Sequence, residues 1–155
     1  MSSLPVWRLC AATYGATAYS GEGADLFGGR WSPPGIRVAY CSESRALALV
    51  EVLANADEQD RLFARKWVVV PAEIPDDLIE RPLRFPAGWR SYPHPRETHA
   101  IGSEWAKSQR SVALRVPSAV VAGEFNYLLN PAHPHFTKVK IGAPEPFAFD
   151  PRLKA

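Results

Sequence analysis

Two charged side chains in this sequence can do chemistry together. Glu51 sits in the run RALALVEVL, where apolar residues recur at helical spacing. At about 100° per residue, Ala46, Leu47, Leu49, Val50, Leu53 and Ala54 share one face. Glu51 falls at the rim of that face, one turn after Leu47. A carboxylate so placed needs a cation or a hydrogen-bond donor opposite it to stay charged. Arg30 is the nearest upstream cation outside the helix, with Arg37 and Arg45 as alternatives. It follows Gly28-Gly29 and precedes Trp31, on a turn that can present its guanidinium. The fork geometry suits a pyrophosphate or a carboxylate. The plainer readings are a solvated helix-rim glutamate and a surface arginine covering Trp31.

Other side chains are weaker candidates. Ser118 stands between two apolar runs, 112–116 and 119–122, each read as a short strand. It lacks the G-x-S-x-G elbow of a nucleophilic serine. Tyr40 closes a predicted strand and can stack on a ring or fill the core. The histidines are His94, His99, His133 and His135. His133 and His135 flank Pro134, and extended spacing points them apart. With no acid or cysteine at ligand spacing, no metal site is expected. The glycine-rich loop over 16–29 can offer backbone N–H groups to phosphate, yet neither nucleotide-binding glycine fingerprint is present.

The elements that position these residues are short. A strand is expected over 6–10. One helical turn is expected at 24–27, and a buried strand over 36–40. The main helix is expected to start at Ser42 as N-cap, with Glu43 in its first turn, and to end in the polar stretch 55–60. KWVVVPAEI (66–74) is a strand, with Pro71 marking an edge or a bulge. Residues 75–96 carry five prolines with Trp89 and Tyr92 and form an irregular surface connection. Residues 96–109 form a second helix with the Ile101/Trp105 stripe, weakened at Gly102. A last strand is expected over 137–141, and the proline-rich tail from Gly142 trails over the surface.

The 155 residues suffice for one domain (1–155) with its own core. Fifteen prolines argue against a helical bundle. Short strands without repeating βα units indicate an α+β fold with a small mixed sheet. Eighteen basic and sixteen acidic side chains give a net charge of +2, too little for direct nucleic-acid binding by charge. Cys10 and Cys41 have no C-x-x-C spacing, which fits a reducing, cytoplasmic setting. No run approaches the ~18 apolar residues of a membrane helix, and no signal peptide is read.

Two blocks, GGRWSPPGIRVAYCSESRALALVEVL and RVPSAVVAGEFNYLLNPAHPHF, resemble the RES domain. That family is named for an arginine, a glutamate and a serine, which match Arg30, Glu51 and Ser118. An accompanying tyrosine matches Tyr40, and the Asn-Tyr-Leu-Leu-Asn-Pro-x-His-Pro segment begins at Asn126. The resemblance spans nearly the whole chain and implies a fold similar to ADP-ribosyltransferase toxins. It implies the toxin of a toxin–antitoxin pair that degrades NAD+ at the nicotinamide–ribose bond, as glycohydrolase or phosphorylase. A protein-directed ADP-ribosyltransferase and a catalytically silent antitoxin-binding module are the alternatives. Under this reading Glu51 stabilises the oxocarbenium-like state and Arg30 clamps the pyrophosphate. Tyr40 packs on nicotinamide or ribose, and Ser118 hydrogen-bonds the ligand. Trp31 and Asn126 complete the dinucleotide contacts. NAD+ is then substrate, with no prosthetic group. The implied partner is an antitoxin with an Xre-like helix-turn-helix domain, with a homodimer or a toxin–antitoxin hetero-oligomer as assembly.

Overall fold

The computed structural model describes residues 2–154. Its longest strands are β1 (Ser3–Ala11) and β3 (Trp67–Pro75), antiparallel across nine residue pairs from Ser3↔Pro75 to Ala11↔Trp67. Around them lie β2 (Ala39–Ser42), β4 (Ile79–Glu80), β5 (Ala113–Pro117), β6 (Phe125–Leu129), β7 (Lys140–Ile141) and β8 (Glu145–Phe147). The sheet order is β4-β5-β6-β2-β1-β3-β7, with β8 also on β3. Among the described residues only β4–β5 is parallel, so the sheet is mixed and the fold is α+β, as expected.

Side-chain alternation divides the core in two. One sheet face carries Val6, Ala39, Cys41, Val70, Tyr127 and Leu129 in a single cluster. The other face carries Leu9 and Val69 under helix α2 (Arg45–Asn55), and Leu114, Val116 and Leu128 under helix α4 (Arg96–Ser108). Between these two helices the same face presents Tyr40, Ser42 and Asn126, and there a cleft opens.

Several expectations are corrected. Strand β2 starts at Ala39, not at residue 36, and Ser42 belongs to it. The N-cap of α2 is Ser44, whose hydroxyl accepts from the Leu47 amide. Glu43 instead accepts from the Phe125 amide and ties β6 to the helix start. The buried residues of α2 are Leu47 and Ala48, while Ala46 and Ala54 are exposed, so the face is rotated from the one expected. The glycine-rich loop holds helix α1 (Glu22–Phe27), and residues 59–64 form α3 (Gln59–Ala64). Pro71 lies in a strand covered along β1. Its other flank falls between β8 (partners of 67–69) and β7 (partners of 72–73), which leaves room for a residue without N–H.

Residues 119–122 are a turn rather than a strand, and the last strand shrinks to Lys140–Ile141. The tail does not merely trail: β8 pairs with β3, and Phe149 is buried against Phe63 and Trp67. His133 and His135 do not diverge. Their rings meet edge to face at 5.6 Å because the chain turns back there.

Gly102 has a role that its low helix propensity hides. A Cβ built on it would lie 1.6 Å from the Trp31 carbonyl oxygen. Any larger residue would drive α4 off the turn that carries Arg30.

Candidate active site

The cleft has a volume of about 670 Å³ and is lined by polar groups from two walls. On the first, Glu51 projects from α2. Its Oε2 accepts from Ser118 Oγ at 2.8 Å and from the Asn126 side-chain amide. Asn126 is oriented in turn by Ser42, whose hydroxyl donates to Asn126 Oδ1 at 2.6 Å. Ser42 and Asn126 are direct partners in the β2–β6 register, so the sheet itself aligns this pair. The Ser118 hydroxyl also accepts from the amides of Val120 and Val121, at 3.1 and 2.9 Å. It therefore caps the turn after β5 while spending its proton on Glu51. One carboxylate oxygen is thus fixed by two donors, and no bond to protein is formed by Oε1 among the described residues.

The second wall is the turn 28–31. Arg30 Nη1 donates to the carbonyls of Trp89 and Ser91, at 2.9 and 2.7 Å. Its Nη2 and Nε are left for a ligand, and no carboxylate pairs with it directly among the described residues. Burial lowers the Arg30 pKa from its ordinary value, and the charge of Glu51 across the cleft opposes that shift. The alternative cations are engaged elsewhere: Arg37 with Asp25 at 3.4 Å and Arg45 with Glu145 at 2.8 Å.

Helix α4 holds the turn from behind. Thr98, fully buried, donates to the Arg30 carbonyl at 2.6 Å. His99 Nε2 lies 2.8 Å from the Gly29 carbonyl. A carbonyl only accepts, so that nitrogen carries a proton and Nδ1 is left over. Residues 82–95 strap the outside. Phe85 meets Trp31 edge to face at 5.2 Å, and Trp89 stacks on it at 6.1 Å. Arg90 donates to the Ala119 carbonyl at 3.1 Å, joining the strap to the Ser118 turn. The proline-rich connection, which carries no motif, is thus the outer support of Arg30.

The six site residues read from the sequence fall into two groups. Glu51, Ser118 and Asn126 form one hydrogen-bonded cluster. Arg30, Trp31 and Tyr40 form the other. Trp31 is 3% exposed and packs in the core cluster under α4, and it also borders the cleft. The Tyr40 hydroxyl accepts from the Trp31 amide at 3.1 Å and lies 2.8 Å from Ser32 Oγ. Burial pushes its pKa up to about 12, so it stays a neutral phenol.

Arg8 escaped the sequence reading, and His94 and His99, weighed there only as metal ligands, also line the cleft. Strands β1 and β2 pair only at Trp7↔Ser42 and then splay. Arg8 fills the gap, its Nη1 donating to the Tyr40 carbonyl at 2.8 Å, with Nε buried and unpaired among the described residues. Period-two alternation groups Arg8 with Val6 and Cys10 on the opposite sheet face, so the sequence carried no signal for its place beside the cleft.

The RES domain family model matches residues 5–150. A protein of Sphingobium sp. (strain YBL2), named Prs ADP-ribosylating toxin, is 37% identical over 154 residues, covering 95% of this chain and 94% of that one. A Yersinia enterocolitica protein named Toxin Res is 37% identical over 150 residues, covering 96% and 99%. The fold is similar to a chain of the M. tuberculosis MbcT–MbcA toxin–antitoxin complex. The TM-score is 0.75 with 18% identity, over 95% of this chain and 85% of that one. The match spans the mixed sheet and both walls of the cleft, so the class of protein is that of the RES domain. The chain belongs to the RES domain family, whose relatives above carry the name of toxins.

Proposed function

We propose that this protein is the toxin of a toxin–antitoxin pair and cleaves NAD+ at the bond between nicotinamide and ribose. The observation that carries this reading is the Glu51 carboxylate, anchored through one oxygen by Ser118 and Asn126 and facing the free donors of Arg30. The cleft volume of about 670 Å³ suits a ligand of dinucleotide size.

In the reaction, the C1′–N bond breaks and its electron pair leaves with nicotinamide, which departs neutral. Positive charge develops on the ribose. An ionised Glu51 stabilises it in a site partly closed to water. Water then adds at C1′ and loses a proton to give ADP-ribose, or phosphate adds to give the 1-phosphate. Arg30 holds the pyrophosphate through Nη2 and Nε while its Nη1 stays anchored to the strap. Arg8 adds a second positive charge at the cleft floor. Tyr40 packs as a neutral ring against the nicotinamide end. Ser118 and Asn126 act as positioning residues through Glu51. NAD+ is substrate, and the chain works in the cytoplasm. Its partner is an antitoxin with an Xre-like helix-turn-helix domain.

One relative bears the name ADP-ribosylating toxin, and this favours a second reading in which the acceptor is a protein side chain. A single experiment separates the readings. The purified chain, free of antitoxin, is incubated with labelled NAD+, with and without inorganic phosphate, then with cell extract. Free nicotinamide and a soluble ADP-ribose product support cleavage. A labelled protein band supports transfer. Intact NAD+ from folded protein under all three conditions leaves only a binding module. Glu51→Gln should lower nicotinamide release by about 100-fold or more.

A further inference from the structure

His94 and His99 are set side by side in the cleft, and nothing in the reaction above uses them. Their ring centroids are 5.0 Å apart. His99 is fixed by its Nε2–H bond to the Gly29 carbonyl, which leaves Nδ1 free. His94, from the strap, makes no hydrogen bond to protein among the described residues. The charged and titratable groups that face it are His99 from α4 and Arg30 from the turn, and neither is a carboxylate. Glu51 lies opposite and acts on Arg30. Two imidazoles and a guanidinium with free donors therefore converge on one corner of the cleft with no anion to balance them.

We infer that His94, His99 and Arg30 form a phosphate-oxyanion subsite, in which both imidazoles gain protons as the anion binds. This rests on the proposed NAD+ reaction for the source of the anion. That source is either the pyrophosphate of the dinucleotide or an inorganic phosphate acceptor; both offer the same oxygens. Arg30 supplies a forked pair of donors, His99 presents Nδ1, and His94 presents a ring edge. Burial, with His99 and Arg30 beside it, holds the His94 pKa below the ordinary imidazole range. A phosphate dianion bound among these groups reverses that balance at His94.

The test follows the imidazole C2–H resonances of the Glu51→Gln protein from pH 5 to pH 8. The probes are pyrophosphate, ADP-ribose and inorganic phosphate, with adenosine as the phosphate-free control. Both imidazoles should titrate at higher pH with at least one phosphate probe and not with adenosine. A response to pyrophosphate and ADP-ribose assigns the dinucleotide. A response to inorganic phosphate that persists with ADP-ribose bound assigns the acceptor. No response to any phosphate probe, or an equal response to adenosine, overturns the subsite.

In turnover, His94→Gln should raise KM for NAD+ or for phosphate roughly tenfold near pH 6 with little change in kcat. His94→Arg should restore it. Unchanged KM for both substrates in His94→Gln also overturns the subsite. The two proposals fail separately. Nicotinamide release with indifferent imidazoles removes only the subsite. Imidazoles that respond to ADP-ribose in a wild-type protein that leaves NAD+ intact remove only the reaction.

Discussion

The two walls of the cleft are built by different means. The Glu51 wall is made of side chains held by side chains. Ser42 aligns Asn126, and Asn126 and Ser118 fix one carboxylate oxygen, on a helix and two paired strands. The Arg30 wall is made of a turn held by backbone. Carbonyls 89 and 91 take its guanidinium, Thr98 and His99 hold its own carbonyls, and Gly102 lets the helix close on it. At the rim of that wall Tyr92 is 87% exposed. Under the proposed reaction, the first arrangement fixes a charge where charge develops. The second fixes a grip that still offers donors outward. Breaking one bond while holding a long ligand would need both.

The contrast can be broken from either side. The largest structural effect should come from Gly102→Ala, because its Cβ meets a backbone carbonyl that cannot swing away. A stability loss of about 3 kcal/mol in urea unfolding is expected, together with weaker NAD+ affinity from a displaced Arg30 turn. A fully stable Gly102→Ala protein would contradict the described packing. Ser118→Ala comes next. It removes one donor from Glu51 and the acceptor for two amides. It should lower kcat roughly tenfold and stability by about 1 kcal/mol, with KM for NAD+ nearly unchanged, since its hydroxyl faces Glu51 rather than ligand. A change confined to KM would return Ser118 to direct ligand contact.

The smallest effect concerns pH. His94 has a lowered pKa in the folded chain, so the unfolded chain takes up its proton first as pH falls. Folding stability should therefore decline as pH drops through the ordinary imidazole range. His94→Gln should flatten that part of the curve. Thermal unfolding at pH 7.5 and pH 5.5 for both proteins reads the difference.

The sequence carries the two walls unequally. Glu51, Ser118 and Asn126 lie in the two blocks that carry the family resemblance, and helix α2 follows from local pattern. Strand β6 and its pairing with β2, which bring the three together, were not read from the sequence. Nor was the strap. Its order comes from Phe85 and Trp89 packing on Trp31, contacts between segments more than fifty residues apart, which no local period encodes. Gly102 shows the same limit. Helix propensity counts it as a defect, whereas its reason is a neighbour distant in sequence. Residues 119–122 failed as a strand for a nearer cause: the Ser118 hydroxyl takes the amides of Val120 and Val121 and bends the chain into a turn. The start of α2 slipped by two residues because Ser42 and Ser44 are both competent caps, and pairing of Ser42 with Asn126 decides between them.

The central claim is that the anchored Glu51 carboxylate acts on the bond being broken and not on ligand binding. Its most direct measurement is NAD+ binding by calorimetry beside nicotinamide release, for the wild-type and Glu51→Gln proteins. The account predicts near-equal affinity, with release falling by about 100-fold or more in the variant. Glu51→Gln that releases nicotinamide at the wild-type rate, or that loses turnover only because it no longer binds NAD+, would contradict it.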